Sequence, residues 1–226
     1  MNFHVLSDIH LEFYKEYPGF HHFINTSADY LFLAGDIGDP FSENYAKFLE
    51  ECSQQSYKYI FIIAGNHEYY NHHFHKVAHK IKTLCSPKII FLQNSSFDLE
   101  DITIIGTTLW SQMTYPELSD YRKIKNWTIE RNNRENQKAL NYLKKTIDSG
   151  KKYIIMTHHV PVLFGNHEGF YNDYEDFITQ RENILAWIYG HDHLSTDIKI
   201  KNTRILSNQY GYPDENANYI DKVFTL

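Results

Sequence analysis

Five short clusters in this 226-residue sequence carry side chains able to hold a metal ion. They are Asp8-Ile9-His10, Gly35-Asp36-Ile37-Gly38-Asp39, Gly65-Asn66-His67-Glu68, Thr157-His158-His159 and Gly190-His191-Asp192-His193. Each follows an apolar run, the pattern of a strand feeding a loop. Ligands of open α/β sheets bind beyond the carboxyl ends of the strands, so the clusters can meet at one place. Carboxylate oxygen mixed with imidazole nitrogen suits Mn²⁺, Fe or Zn²⁺ better than Ca²⁺ or Mg²⁺. Seven such residues with one shared carboxylate are enough for two ions, whereas a structural zinc takes about four ligands. In an extended segment, Asp-x-His and His-x-His aim both outer members at one side. The same alternation turns Asp192 away and gives it a structural role.

The elements that must position these residues are legible as patterns. Apolar runs at Phe3–Leu6, Tyr30–Ala34, Tyr59–Ala64, Ile89–Leu92, Ile102–Ile105, Tyr153–Met156 and Ala186–Tyr189 read as strands. Helical periodicity covers Glu43–Gln54, His72–Leu84 and Ile129–Ile147. This alternation predicts an α/β layered fold, and hairpins at Phe97–Glu100 with Ile102–Ile105 and Ile198–Ile200 with Arg204–Leu206 make its sheets mixed. No repeat, low-complexity tract or linker divides the chain, so one domain over 1–226 is expected.

Composition bounds the partners. No apolar run reaches the roughly 20 residues of a membrane span, so a soluble protein is expected. A net charge of −6 disfavours a polymeric nucleic acid, whose binders carry a clustered basic face. Two cysteines, Cys52 and Cys85, are too few for a disulfide framework, and a cytoplasmic location follows. The apolar stretch leads straight into Asp8 with no basic segment before it, so no cleavable signal is expected.

The order of the five clusters resembles the calcineurin-like metallophosphoesterase superfamily, with its DxH, GDxxD, GNHE, H and GHxH motifs running from Asp8 to His193. The resemblance implies a four-layer αββα sandwich with two mixed β-sheets and a dinuclear centre. By the same resemblance, Asp8, His10, Asp36 and His193 are ligands of one metal, and Asp36, Asn66, His158 and His191 of the other, Asp36 bridging. Residue chemistry alone leaves His158 and His159 equal; the resemblance assigns the first. His67 is similar to the family's non-ligand histidine, which protonates the leaving oxygen, and Asp39 stands where a carboxylate orients that histidine. Two divalent ions, Mn²⁺ or Fe ahead of Zn²⁺, are implied, with metal-bound water hydrolysing a small or nucleotide-like phosphomonoester or phosphodiester. Gly106–Trp110 and Asn208–Tyr212 resemble segments of small bacterial metallophosphoesterases. Pro40 and Ala64 replace the phosphate-clamping arginines of the phosphoprotein phosphatase branch, which disfavours protein substrates.

Several residues take plainer readings. Of His72, His73, His75 and His79, only His75 and His79 share a helix face, and the cluster reads as solvated or supporting. Glu68 orients its loop, Tyr70 packs, and Arg131 with Arg134 form a helix surface. The stretch from His167 to Tyr174 is a surface loop or a wall of the pocket. A binding scaffold without catalysis and a DNA nuclease are the competing functions. Intact ligands argue against the first, and the acidic balance argues against the second.

Overall fold

Alternation along the apolar strands gives each sheet two apolar faces, and that requires cover on both sides. The computed structural model describes residues 1–116, 118–165, 169–215 and 218–226. Its first sheet contains β1 (Asn2–Leu6), β2 (Tyr30–Leu33), β3 (Tyr59–Ile62), β4 (Ile89–Phe91) and, at its edge, β11 (Phe224–Thr225). The order is β11-β1-β2-β3-β4, parallel except for β11 against β1. The second sheet is β5 (Ser95–Leu99), β6 (Ile102–Thr107), β7 (Lys152–Thr157), β8 (Ile184–Ile188), β10 (Thr203–Ser207) and β9 (Thr196–Ile200), in that spatial order. Its two edges are the expected hairpins, β5–β6 and β9–β10, around a parallel centre.

Three apolar cores separate four layers. Phe3, Val5, Phe32 and Phe61 face Ile154, Met156, Ile188 and Leu206 between the sheets. Their neighbours Leu6, Leu31, Leu33, Ile60 and Ile62 face outward onto helices α1 (Glu43–Gln54) and α2 (Phe74–Leu84). On the other side Ile155, Trp187 and Ile205 pack on α4 (Ile129–Thr146) and α5 (Glu175–Thr179) through Leu140, Leu143 and Phe177. A short helix, α3 (Asp120–Lys123), precedes α4. This is the four-layer αββα sandwich with two mixed sheets. Ser42 caps α1 by accepting from the Tyr45 amide, and Thr128 caps α4 by accepting from the Arg131 amide.

Helix α2 begins at Phe74 rather than at His72. Asn71 adopts a left-handed backbone (φ 65°), and His73 bridges to Lys125 as a strand would. Both features hold the two histidines outside the helix. Among the described residues no helix is long and apolar enough to cross a membrane.

Candidate metal centre

The carboxyl ends of β1, β2 and β3 meet those of β7 and β8, and the five clusters converge there. Asp8, Asp36, His158 and His191 are buried with Asn66 and His10. Three groups have their candidate ligand atoms within 4.8 Å of one another: Asp8, His10 and His193; Asp36, His158 and His191; and, sharing His10, the set His10, Glu12 and His67. The first two hold the expected ligands. Asp36 lies between them. Its Oδ2 is 3.9 Å from His10 Nε2, and its Oδ1 is 3.4 Å from His158 Nε2.

The outer hydrogen bonds fix which nitrogen of each ring faces inward. His158 Nδ1 donates to the Ala34 carbonyl at 3.0 Å, so Nε2 is left as a lone pair 2.9 Å from Asn66 Oδ1. His191 Nε2 donates to the Gly169 carbonyl at 3.2 Å, which leaves Nδ1 facing His158 Nε2 at 3.2 Å. His10 and His193 turn Nδ1 to the carboxylates of Glu12 and Glu215, and their Nε2 atoms stand 3.0 Å apart. Asn66 gives its amide hydrogens to Asp120 Oδ1 (2.9 Å) and the Tyr70 hydroxyl (3.1 Å), so its oxygen points inward. Acceptors therefore face acceptors, and either a proton or a cation must lie among them. The donor set fits divalent ions of the Mn, Fe and Zn type.

Of the inward-facing rings, His158 is the one best placed to hold a proton. Burial opposes it, but Asp36 and Asp8 raise its pKa to about 10. Burial likewise pushes the Asp36 carboxyl up, and His158, His67 and His10 outweigh this, holding it well below the usual carboxylate range. His191 is kept neutral by burial and by His159 and His158 beside it.

Backbone conformation, not strand alternation, aims the paired side chains. Asp8, His10, Asp36, His191 and His193 all have left-handed φ values, 55, 48, 51, 88 and 55°. Such values in side-chain-bearing residues are held only where the surroundings over-determine them. Here the Glu68 carboxylate accepts from the Asp36 and Ile37 amides (3.0 and 2.8 Å) and from the Gly65 amide (2.7 Å), clamping the loops after β2 and β3. The loop-orienting reading of Glu68 thus acquires a geometry. A Cβ on Gly65 would lie 2.1 Å from Asp36 Oδ1, and one on Gly190 would lie 2.6 Å from Asp8 Oδ2, so both positions exclude a side chain.

His67 stands beside the two groups, its Nε2 3.9 Å from Asp36 Oδ2. Its orientation corrects the expectation for Asp39. The His67 Nδ1 bonds Glu12 Oε1 at 2.7 Å, whereas Asp39 accepts from His72 at 2.8 Å and from the Phe41 amide at 2.9 Å. The turn through Gly38 and Pro40 faces Asp39 outward, and the turn after His10 brings Glu12 in. Burial opposes a charge on Glu12, yet hydrogen bonds from His10 and His67 bring its pKa to about 2. For His67, burial works against the imidazolium, and Asp36 and Glu12 more than offset it, raising the pKa.

Glu12 and Asp120 were not anticipated as site residues, and Tyr70 does more than pack, because its hydroxyl donates to Asp120 at 2.8 Å. Asp192 borders the cleft, and its carboxylate takes the expected structural role, accepting from Gln209 at 2.6 Å and from the Leu194 amide at 3.3 Å. His159 packs as a buried neutral ring 4.1 Å from that of His191, its pKa lowered to about 3 by burial and His158. Arg131 lies over Phe74 and Trp127. In the stretch from His167 to Tyr174, His167 and Glu168 lie outside the described residues, while Phe170 forms a cleft wall 4.8 Å from the His191 ring.

The chain belongs to the calcineurin-like phosphoesterase family, whose model matches residues 1–195. It is 32% identical to an uncharacterized protein of Acanthamoeba polyphaga mimivirus, over 95% of this chain and 92% of that one. It is 26% identical to a probable cyclic nucleotide phosphodiesterase of Coxiella burnetii, over 80% of this chain and 66% of the relative. The fold matches that of phosphopantetheinyl hydrolase from Mycobacterium tuberculosis, with a TM-score of 0.72 and 14% identity over 96% of this chain and 93% of that one. A putative 5′-nucleotidase from Staphylococcus aureus matches with a TM-score of 0.51 and 17% identity, over 92% of this chain and 48% of that one.

Because Asp36 and Asp8 raise the pKa of His158, a divalent ion bound at neutral pH is expected to displace a proton from this ring. Calorimetric titration with Mn²⁺ in buffers of different ionisation enthalpy is expected to show about one proton released at this site, with affinity rising as pH rises. Asp36→Ala should lose uptake at both groups by elemental analysis. Binding without proton release, or full metal content in Asp36→Ala, would contradict the assignment.

Proposed function

We propose that the chain is a phosphoric ester hydrolase that works with two divalent ions and prefers small or nucleotide-like phosphodiesters to phosphomonoesters. The observation that carries this reading is the pair of converging acceptor sets, one of them built on Asp36, whose other carboxylate oxygen lies 3.9 Å from His10 of the second set. Asp8, His10, Asp36 and His193 would hold one ion, and Asp36, Asn66, His158 and His191 the other. Ions bound there supply Lewis acidity toward phosphoryl oxygens and toward water.

The chain's own residues do the rest. Glu12 holds His67 by Nδ1, which leaves Nε2 as the atom that passes a proton to the departing oxygen. Asp120 and Tyr70 keep the Asn66 oxygen turned into the site. The cleft, about 280 Å³ in volume, adds the carboxylates of Asp120, Asp192 and Glu215, and none of its described lining residues is Lys or Arg. A monoester dianion meets more repulsion there than a diester monoanion. The name of the Coxiella relative, a probable cyclic nucleotide phosphodiesterase, agrees with this preference.

At pH 8 with Mn²⁺, kcat/KM for bis-nitrophenyl phosphate should exceed that for nitrophenyl phosphate. One extra like-charge contact at intermediate dielectric is worth on the order of 1–2 kcal/mol, roughly tenfold in rate. A monoester turned over faster than the diester would overturn the preference. A phosphopeptide preferred to every small ester would show that some other group replaces the missing arginine clamp.

Removal of a general acid costs about 10²–10⁴ in rate, and the loss grows with the basicity of the leaving oxygen. His67→Asn should therefore lose far more activity on an alkyl or nucleoside ester than on a nitrophenyl ester, with metal content unchanged. Glu12→Gln should show a milder version of that dependence, and Asp39→Asn should stay near the parent. If Asp39→Asn reproduces the pattern and Glu12→Gln does not, the role given to Glu12 is wrong.

A further inference from the structure

At the mouth of the cleft two exposed rings form a corner. Phe13 and Tyr212 are 51% and 39% exposed and meet edge to face, with centroids 5.2 Å apart and planes at 89°. Phe13 follows Glu12 directly, and Tyr212 lies flat on His10, with centroids 4.4 Å apart and planes at 27°. With Pro213, Asp214 and Glu215 the rings line a hollow that joins the cleft, since Tyr212 and Glu215 line both. The corner therefore adjoins the cleft lined by Asp36, Asn66, His67, His191 and His193.

Large apolar side chains left exposed beside a polar site mark a surface kept for a ligand. Perpendicular rings admit a third ring that stacks on one and meets the other edge-on, which are the two favoured aromatic geometries. The charged residues among the described lining of the hollow, Asp214 and Glu215, are both carboxylates, so an anionic group is repelled. We propose that the Phe13–Tyr212 corner seats the alcohol moiety of the ester and selects a planar ring without anionic substituents, such as a nucleobase or an aryl group. The proposal deepens the phosphodiesterase reading and rests on it. It assigns substrate choice to Phe13 and Tyr212 and leaves the metal-facing residues to bind the phosphoryl group, whatever the alcohol.

The test is calorimetric binding of three non-hydrolysable probes to the Mn²⁺-loaded protein: methyl methylphosphonate, methyl benzylphosphonate and methyl 4-carboxybenzylphosphonate. The benzyl probe should bind about tenfold more tightly than the methyl probe, as expected of one ring stacked on an aromatic side chain. The carboxybenzyl probe should lose that gain. Phe13→Ala should bring the benzyl probe close to the methyl probe, Phe13→Trp should keep the gain, and metal content should match the parent in both. Equal affinities of the benzyl and methyl probes in the parent, or a gain that survives Phe13→Ala, would overturn the proposal. If even the methyl probe fails to bind the metal-loaded parent, the phosphoesterase reading fails and the corner falls with it.

Discussion

Acceptor atoms turned toward one another across the Asp36 carboxylate are the constraint that the rest of the site has to satisfy. Four imidazoles have their outward nitrogens engaged by carbonyls or carboxylates, and Asn66 has its amide hydrogens drawn off to Asp120 and Tyr70. What remains inside is lone pairs and negative charge. Such an arrangement is stable only around positive charge, and Asp36 and Asp8, by raising the His158 pKa, show how strongly the centre favours it. Glu12, Glu215, Ala34 and Gly169 shape the centre through its ligands, because each decides which atom of a neighbouring ring faces inward.

Holding that arrangement requires strain, and the two sheets supply the rigidity that sustains it. The left-handed residues come directly after β1, β2 and β8. Those strands are apolar on both faces, buried between helix layers, and unable to shift register without turning core residues outward. Glu68 then ties two of the loops together through three backbone amides. Since both sheets contribute, relative sliding of the two would pull His158 and His191 away from Asp36 and Asn66. Phe61 of the first sheet meets Phe97 of the second edge to face, with ring centroids 5.6 Å apart, and the inter-sheet core around them opposes such sliding.

The parts of this design readable from sequence are those with short-range causes. A run such as Tyr30–Leu33 followed by Gly35-Asp36 announces a strand and its loop by composition alone, and five such junctions in a fixed order were enough to place the fold and the cluster of site residues. Glu12 was invisible because its role depends on the left-handed turn at His10 and the single helical turn after it, where a two-residue spacing carries no periodic signal. Asp120 was invisible for another reason. It is delivered by backbone pairing between Asn71 and Lys123 and between His72 and Lys125, contacts about fifty residues apart in sequence. Asp39 was misplaced because a spacing rule from a related branch says nothing about the turn at Gly38 and Pro40 that sends its carboxylate to His72.

The most direct test of the centre is long-range proton–nitrogen NMR of the histidine rings in the Cd²⁺-loaded protein, a diamagnetic stand-in that reports the protonated nitrogen of each ring. His10, His158 and His193 should carry hydrogen on Nδ1 and His191 on Nε2, with the opposite nitrogen of each ring shifted by the ion. An imidazolium persisting at His158 with Cd²⁺ bound, or a His191 ring protonated at Nδ1, would contradict it.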